Sequence, residues 1–250
     1  MRLLSLLLFA FLAIGCQPDA SAQDAPTASV DLPETNFYAI NTTMGRIVVE
    51  LSDDTPLHRD NFKRLAVEGT VDSTRFHRVI NNFMIQGGDP NSRNDTPFDD
   101  GQGGPGWQVD PEFNKGYHFR GALAAAREGD QVNPERKSSG SQFYLVHGMP
   151  IDSTLLMEMR DRVRMGTSDP TFDWDDATKA RYLAEGGVPF LDAQYTVFGR
   201  TVEGQEVIDA IASMETGRAR GERSMTADQP PTPVYLTIEP LPNYTPPAGE

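Results

Sequence analysis

Apolar residues follow a two-residue period in several short stretches of the chain, the first of them at 37–51. Ile47, Val49 and Leu51 share one face in its second half, and Met44-Gly45 interrupts it. Alternation of this kind, broken by a turn, is typical of a β-hairpin. Residues 37–51 are therefore predicted to form two short strands.

A helical period follows directly. Thr55-Pro56 offers an N-cap and a proline at the first helical position, Phe62 and Leu65 fall on one face, and Gly69 supplies a stop. A second amphipathic helix is predicted at 204–214. The two helices are far apart in the sequence, so they are not a helical hairpin.

The remaining apolar stretches have the length and β-branched content of strands. They are predicted at 75–90, as strand, turn and strand around Asn81-Asn82, and at 121–126, 142–146, 194–199 and 233–239. Four of their residues are predicted to be core: Phe76, Val79, Ile80 and Phe143. Residues 91–118 are rich in Gly, Pro, Asn and Asp and are predicted to form a long ordered loop.

Residues 152–187 differ from the rest because their apolar spacing is helical. One helix begins at a cap formed by Asp152 or Ser153, and a second starts near Asp173 and ends at Gly186-Gly187. Many short strands with two separate helices predict a mainly β domain, a barrel with helical plugs, interrupted by this insertion.

The N-terminus predicts export. A positively charged start precedes an apolar run at 3–14, which is shorter than the roughly 20 residues that span a bilayer. Residues 1–15 are therefore predicted to be a signal peptide. They resemble a bacterial lipoprotein signal, which implies that Cys16 is acylated. Residues 17–35 are rich in Ala, Pro, Ser, Thr and Asp, so 16–35 is predicted to be a flexible tether. A plain signal peptide with an incidental cysteine is the alternative.

Composition excludes several classes of function. The formal net charge is −14, which argues against nucleic-acid binding because phosphate contacts need clustered Lys and Arg. The chain has one cysteine, so neither an intrachain disulfide nor a Cys-rich zinc site can form. The four histidines are widely spaced, and no metal site is expected.

Two other motifs are not interpreted as sites. Residues 101–106 match G-x-G-x-x-G, but Pro105 and an extended segment follow where a nucleotide-binding fold needs a helix. The acidic residues Asp173, Asp175 and Asp176 are interpreted as a helix start, with calcium binding as the weaker alternative.

Residues 76–89 give the strongest indication of function. A strand projects alternate side chains to one face, so Arg78 and Ile80 share a face of the first strand. On the second strand two pairs each share a face: Phe83 with Ile85, and Met84 with Gln86. If the strands pair, a guanidinium and an amide lie beside aromatic and thioether surface. That arrangement suits an apolar group next to a peptide bond.

This segment closely resembles the signature of the cyclophilins. The resemblance continues in order along the chain, at 43–51, 61–65, 121–127, 138–145 and 190–199. It spans 37–239 outside the insertion, and several ordered motifs are far more specific than one short pattern. It implies a closed eight-stranded antiparallel barrel capped by two helices, within a domain at 36–240 followed by a loose tail at 241–250.

The resemblance also implies a peptidyl-prolyl cis-trans isomerase site that needs no cofactor. Arg78 and Gln86 would be catalytic. The substrate-binding residues would be Phe83, Met84, Ala126, Arg127, Gln142, Tyr144, Phe190, Leu191 and Tyr195. His77 belongs to the signature but has no chemical task and is interpreted as structural. Phe190 and Tyr195 stand where eukaryotic members carry Trp and His.

The predicted partners are proline-containing, unfolded or partly folded polypeptides at the cell envelope, met by a lipid-anchored monomer. A peptide bond resists rotation by about 18–20 kcal/mol, and a cationic donor at the twisted proline nitrogen would lower that barrier. A cyclophilin-like binding or assembly module without turnover is the leading alternative. A purely structural envelope lipoprotein is the third, and it does not explain the ordered groove residues.

Overall fold

The structure is a computed structural model. It describes residues 30–114 and 116–246, and the backbone of 23–24. The predicted signal peptide and Cys16 lie outside the described residues, as does the end of the tail at 247–250. The boundaries proposed for these segments stay predictions.

Strands and α-helices take up similar shares of the described residues. The strands are β1 (Gln23–Asp24), β2 (Phe37–Thr42), β3 (Gly45–Leu51), β4 (Thr74–Arg75), β5 (Arg78–Ile80), β6 (Met84–Gly87), β7 (Trp107–Val109), β8 (Ala122–Ala125), β9 (Ser138–Ser139), β10 (Phe143–Val146), β11 (Val197–Glu203) and β12 (Tyr235–Pro240). The helices are α1 (Pro56–Glu68), α2 (Ser153–Thr167), α3 (Asp176–Glu185) and α4 (Gln205–Ala212). Short 3-10 turns lie at Pro90–Arg93 and Pro189–Leu191.

The main sheet is antiparallel and strongly curled. Its hydrogen-bonded order is β4-β12-β2-β3-β11-β8-β10-β6-β5. The predicted hairpin at 37–51 is confirmed, with Phe37 opposite Glu50 and Thr42 opposite Gly45. A second, small sheet has the order β1-β7-β9. Its strand β1 lies in the segment predicted as a flexible tether and β7 in the predicted loop at 91–118.

The closed eight-stranded barrel is the part of the fold prediction that the structure corrects. The sheet has nine strands and is open between β4 and β5. Both come from the stretch predicted as one strand, in which the consecutive residues Phe76 and His77 are both buried, at 0% and 5% exposure. A regular strand sends neighbouring side chains to opposite faces. Phe76 accordingly packs in the main core and His77 lines the opposite side, and between β4 and β5 the chain changes its hydrogen-bonding partner: β4 pairs with β12 and β5 with β6.

The main core lies between the inner face of the curled sheet and helices α1 and α4. Phe62 of α1 packs edge-on to Phe143 at 5.6 Å, and Ile208 and Ile211 of α4 are fully buried. Phe76 and Val79 belong to the same cluster, as predicted, whereas Ile80 packs on the opposite face. Both predicted capping helices are thereby confirmed.

The N-terminus of α1 is capped from a distance. Thr55 occupies the N-cap position, but its side chain makes no capping bond. The Glu112 carboxylate instead accepts the N–H groups of Leu57 at 3.0 Å and His58 at 2.9 Å. A carboxylate is favoured there because the first N–H groups of a helix have no partner within the helix.

The insertion is helical, as predicted, and has an apolar cluster of its own. Asp152 caps α2 by accepting the Leu155 N–H at 2.8 Å, and Asp175 caps α3 by accepting the Thr178 N–H at 2.7 Å. The second helix thus begins later than the predicted Asp173. The cluster comprises five residues of the insertion and two from outside it, which are Leu156, Met159, Val163, Trp174 and Tyr182, and then Phe119 and Ile151. None of the helices in the described ranges is long and apolar enough to cross a membrane.

Candidate active site

A cleft of about 310 Å³ opens on the outer face of the sheet, beside β5 and β6. Its lining comprises His77, Arg78, Phe83, Met84, Gln86, Asp100, Gly101, Ala126, Arg127, Tyr144, Leu191, Tyr195, Met225, Asp228 and Gln229. Alternation along the strands explains which of their residues line the cleft. On β10, Phe143 and Leu145 face the core, whereas Tyr144 and Val146 face the cleft side.

Arg78 extends from β5 into this cleft. It lies opposite Gln86 in the β5–β6 register, and its Nη1 donates to the Gln86 Oε1 at 3.3 Å. Its Nε donates to the Asp228 carboxylate at 3.4 Å, and the guanidinium carbon is 5.9 Å from the centre of the Phe83 ring. The side chain remains 42% exposed. A permanently charged donor therefore borders an apolar surface while staying accessible.

A chain of amides fixes Gln86. Its Nε2 donates to the Gln142 Oε1 at 3.0 Å, and the Gln142 Nε2 donates to the carbonyl oxygens of Gly103 at 2.7 Å and Gly101 at 3.1 Å. Both ends of the Gln86 amide are thus used, which determines its orientation. Gln142 itself lines an adjoining depression of about 650 Å³ rather than the cleft.

The floor of the cleft is apolar. Met84 and Tyr144 are almost fully buried and form one cluster with Ala126, Leu191 and Tyr195. Phe190 is the second predicted residue that does not line the cleft. It packs behind it, with its ring 5.7 Å from that of Phe83. The other predicted binding residues all line this one cleft.

Arg127 supports the cleft with its side chain. That side chain is only 4% exposed, lies over the Tyr195 ring at 4.4 Å and donates to the Gln194 carbonyl at 3.0 Å. The guanidinium also pairs with Asp130 at 2.6 Å. These contacts fix the segment that carries Tyr195. They occupy the side chain of Arg127, so we expect a ligand to contact its backbone instead.

The loop between α4 and β12 supplies three cleft residues that the sequence did not indicate: Met225, Asp228 and Gln229. The Val79 N–H donates to the Asp228 carbonyl at 2.7 Å, which places this carboxylate against Arg78. Arg218 donates to both oxygens of the same carboxylate, from its Nε to Oδ1 and from its Nη2 to Oδ2, the oxygen that also accepts from Arg78. No periodic pattern or motif marks the loop, so only the structure could identify it.

Comparison with known proteins identifies the family. Residues 37–236 match the family described as cyclophilin type peptidyl-prolyl cis-trans isomerase/CLD. The chain is a cyclophilin. It is 32% identical over 183 residues to a Staphylococcus saprophyticus protein provisionally named a peptidyl-prolyl cis-trans isomerase, covering 71% of this chain and 81% of that one. A Staphylococcus aureus protein with the same name is 34% identical over 162 residues, covering 63% and 71%.

Solved structures agree on the fold. The chain superposes on a Cryptosporidium parvum cyclophilin type peptidyl-prolyl cis-trans isomerase with a TM-score of 0.54 and 22% identity, covering 83% of this chain and 99% of that one. A second structure of that isomerase, in the presence of the dipeptide Ala-Pro, has the same TM-score and covers 81% and 96%.

Three side chains in this cyclophilin are hydrogen-bonded like the catalytic triad of a hydrolase, but a substrate cannot reach them. His58 joins the Glu112 carboxylate at 2.7 Å and the Ser138 hydroxyl at 2.9 Å. Both His58 and Ser138 are buried, and the neighbouring cavity holds about 10 Å³. No substrate carbonyl can reach that hydroxyl, so the group is structural. The described ranges hold no group of three or more metal-ligating side chains.

His77 lines the cleft beside Arg78 and is nearly buried. Neither of its ring nitrogens has a hydrogen-bond partner within the part of the chain that the structure describes. Burial lowers the pKa of His77 from 6.5 to about 4, against the opposing effect of Asp89. The imidazole is therefore neutral at physiological pH and adds no positive charge beside Arg78.

This pKa predicts how stability depends on pH. Below pH 6.5 the unfolded chain binds a proton at His77 that the folded chain does not, so the free energy of unfolding falls as pH drops towards 4. Between pH 7 and pH 5 we expect His77 to contribute a loss of about 1–2 kcal/mol. Urea unfolding of the wild type and His77→Leu measures it. Equal pH slopes in the two proteins would contradict the assignment.

Proposed function

We propose that this cyclophilin accelerates cis-trans isomerisation of prolyl peptide bonds in exported, incompletely folded polypeptides. The observation that supports this most strongly is the accessible Arg78 guanidinium beside an apolar cleft that contains Phe83, Met84 and Leu191. The cleft has room for a pyrrolidine ring, and the cation borders the position of the adjoining amide.

The chemistry follows from the amide itself. The nitrogen donates its lone pair into the carbonyl, and this donation creates a rotational barrier of about 18–20 kcal/mol. At the twisted geometry the lone pair is localised on the proline nitrogen and can accept a hydrogen bond. Arg78 would donate that bond more strongly to the transition state than to either planar state, which is the condition for rate acceleration. Lowering the barrier by about 5.5 kcal/mol gives roughly 10⁴-fold acceleration.

The remaining groups would hold the substrate still while its bond turns. Phe83, Met84 and Leu191 would enclose the proline ring. Gln86, whose amide is oriented by Gln142, and the backbone of Arg127 would bind the flanking carbonyl and amide groups. No nucleophile, proton transfer or cofactor enters this scheme, because rotation about the amide breaks no σ bond.

Export and anchoring are a separate part of the proposal. They are supported by the charged start, the short apolar run at 3–14 and the cysteine at position 16. Uncatalysed prolyl isomerisation takes tens to hundreds of seconds, so a catalyst at the envelope would serve newly exported chains. Palmitate labelling of the full chain tests the anchor. Label in the wild type and none in Cys16→Ser is expected, and an unlabelled wild type would leave only a plain signal peptide.

The isomerase activity is tested with a short Ala-Pro peptide and the full chain. We expect steady acceleration of cis-trans interconversion that scales with protein concentration. A wild-type rate equal to the uncatalysed rate would reject catalysis. If the peptide still bound, that result would support the non-catalytic binding module instead.

Asp228 gives a prediction that depends on the position of Arg78. The Asp228 carboxylate accepts a hydrogen bond from the Arg78 Nε. Asp228→Asn removes the charge from this bond and should lower kcat/KM by roughly 3- to 10-fold, as expected for a lost charge-assisted hydrogen bond. Glu222→Gln is the matched control, since Glu222 pairs with Arg220 on the same loop. An increase in kcat/KM for Asp228→Asn would instead mean that the carboxylate restrains catalysis by neutralising Arg78.

A further inference from the structure

A buried carboxylate joins the helical insertion to the cleft. Asp192 directly follows Leu191, and each of its oxygens accepts two hydrogen bonds. Oδ1 accepts from the His118 backbone N–H at 2.9 Å and from its Nδ1 at 2.7 Å. Oδ2 accepts from the Trp174 Nε1 at 2.8 Å and the Tyr182 hydroxyl at 2.7 Å. Trp174 and Tyr182 both belong to the insertion.

Burial makes each of these bonds necessary. Asp192, His118 and Tyr182 have no exposed surface, and Trp174 has 2%. A carboxylate removed from water needs all its acceptor sites filled, because no solvent replaces a missing donor. The insertion supplies two of the four donors. Without it, one oxygen of Asp192 would lie unpartnered beside the cleft wall.

The other oxygen connects Asp192 to a second cleft residue. A carboxylate only accepts, so the His118 Nδ1 carries a proton and donates. The His118 Nε2 is hydrogen-bonded to the Tyr144 hydroxyl, 2.9 Å away. Burial raises the pKa of Tyr144 well above its ordinary value, so that hydroxyl stays protonated. The position of Tyr144 in the cleft therefore depends on His118, and that of His118 on Asp192.

Side-chain packing also connects the insertion to the cleft. Helix α2 lies against the 3-10 turn that carries Phe190 and Leu191. Phe190 contacts both the cluster on the cleft side and the cluster of the insertion. At the end of α2, a Cβ at Gly166 would overlap the side-chain amide of Gln194, so glycine permits the close approach.

We propose that the helical insertion is a positioning element for the proline pocket and that it acts through Asp192. Trp174 and Tyr182 hold this carboxylate, which sets Leu191 through the chain and Tyr144 through His118. The expected effect of the insertion on activity rests on the proposed isomerase function. The claim that the insertion sets the positions of Leu191 and Tyr144 does not depend on that function.

The test removes single donors from the insertion. Tyr182→Phe and, separately, Trp174→Phe should each move the NMR signal of the His118 Nδ1 proton and the signals of Leu191 and Tyr144. We expect kcat to fall roughly 3- to 10-fold with little change in KM, since Gln86 and the backbone of Arg127 still bind the flanking groups. Lys179→Met, which removes an exposed ion pair with Asp173 on the insertion, is the control and should change neither readout.

The outcomes separate the two claims. Variants that are folded, with unchanged Leu191 and Tyr144 signals and wild-type kcat, would overturn the positioning role. Shifted signals with wild-type kcat would also overturn it, because the insertion would then be linked to the pocket without serving it. If the wild type lacks isomerase activity, the proposed function fails, and the Leu191 and Tyr144 signals still decide whether the insertion sets the pocket.

Discussion

Arg78→Lys should lower kcat/KM for a prolyl peptide by about 10²-fold or more, close to the loss in Arg78→Ala. Lysine keeps the charge but not the planar set of donors that bonds the Gln86 amide and the Asp228 carboxylate while still facing the cleft. The loss should fall mainly on kcat, because the donor acts on the twisted amide and not on the planar substrate.

The matched control is Arg200→Lys. Arg200 lies on β11, is 66% exposed and pairs with Glu50 away from the cleft. This variant should keep wild-type kcat/KM. Arg78→Lys with wild-type activity and an unchanged fold would mean that charge alone suffices, and the assignment of a directed hydrogen bond would be wrong.

Asp192→Ala should lower the free energy of unfolding by about 3–5 kcal/mol. The substitution leaves four donors buried without their acceptor: the His118 backbone N–H and Nδ1, the Trp174 Nε1 and the Tyr182 hydroxyl. Each unsatisfied buried donor costs about 1–3 kcal/mol, so the total is a large fraction of the stability of an ordinary domain. Urea unfolding measures the change.

Asp161→Ala is the control for this substitution. Asp161 is a 60% exposed residue of α2 that pairs with Arg160, and exposed pairs contribute at most about 1 kcal/mol. A loss below about 1 kcal/mol in Asp192→Ala would contradict the view that this carboxylate connects the insertion to the sheet.

Local patterns in the sequence were sufficient to predict much of the site. The two-residue period on the two strands predicts that Arg78 shares a face with Ile80 and Gln86 with Met84. The structure pairs the strands and gives the register, with Arg78 opposite Gln86. The predicted turn at Asn81-Asn82 did not settle this register, because Ile80 pairs with Met84 and three residues form the connection. Ordered motifs then placed Tyr144 and Leu191 near Arg78 and Gln86, although these residues are distant in the chain.

Contacts made by polar loops were not predictable in this way. Asp228 is 150 residues from Arg78, and Glu112 is 54 residues from the α1 N–H group of His58 that it accepts. A single carboxylate has no period, and its partner depends on how the loops pack. The same limit applies to Asp192, whose four donors come from His118 and from two residues of the insertion.

The division between β4 and β5 was missed for a different reason. Phe76 and His77 lie in a run of aromatic and β-branched residues, and such a run favours one continuous strand. The sequence does not show that the chain changes its hydrogen-bonding partner here, from β12 at β4 to β6 at β5. The predicted barrel closure failed at this point, while the strands on either side were placed correctly.

The central claim is that Arg78 promotes rotation of an amide whose proline ring lies against Met84 and Leu191. Exchange NMR of an Ala-Pro peptide with a small amount of the full chain tests it most directly. We expect cis-trans exchange peaks with the wild type, none with Arg78→Ala, and peptide-induced shifts at Met84 and Leu191 in both proteins. Undiminished exchange with Arg78→Ala, or shifts confined to residues outside the cleft, would contradict the account.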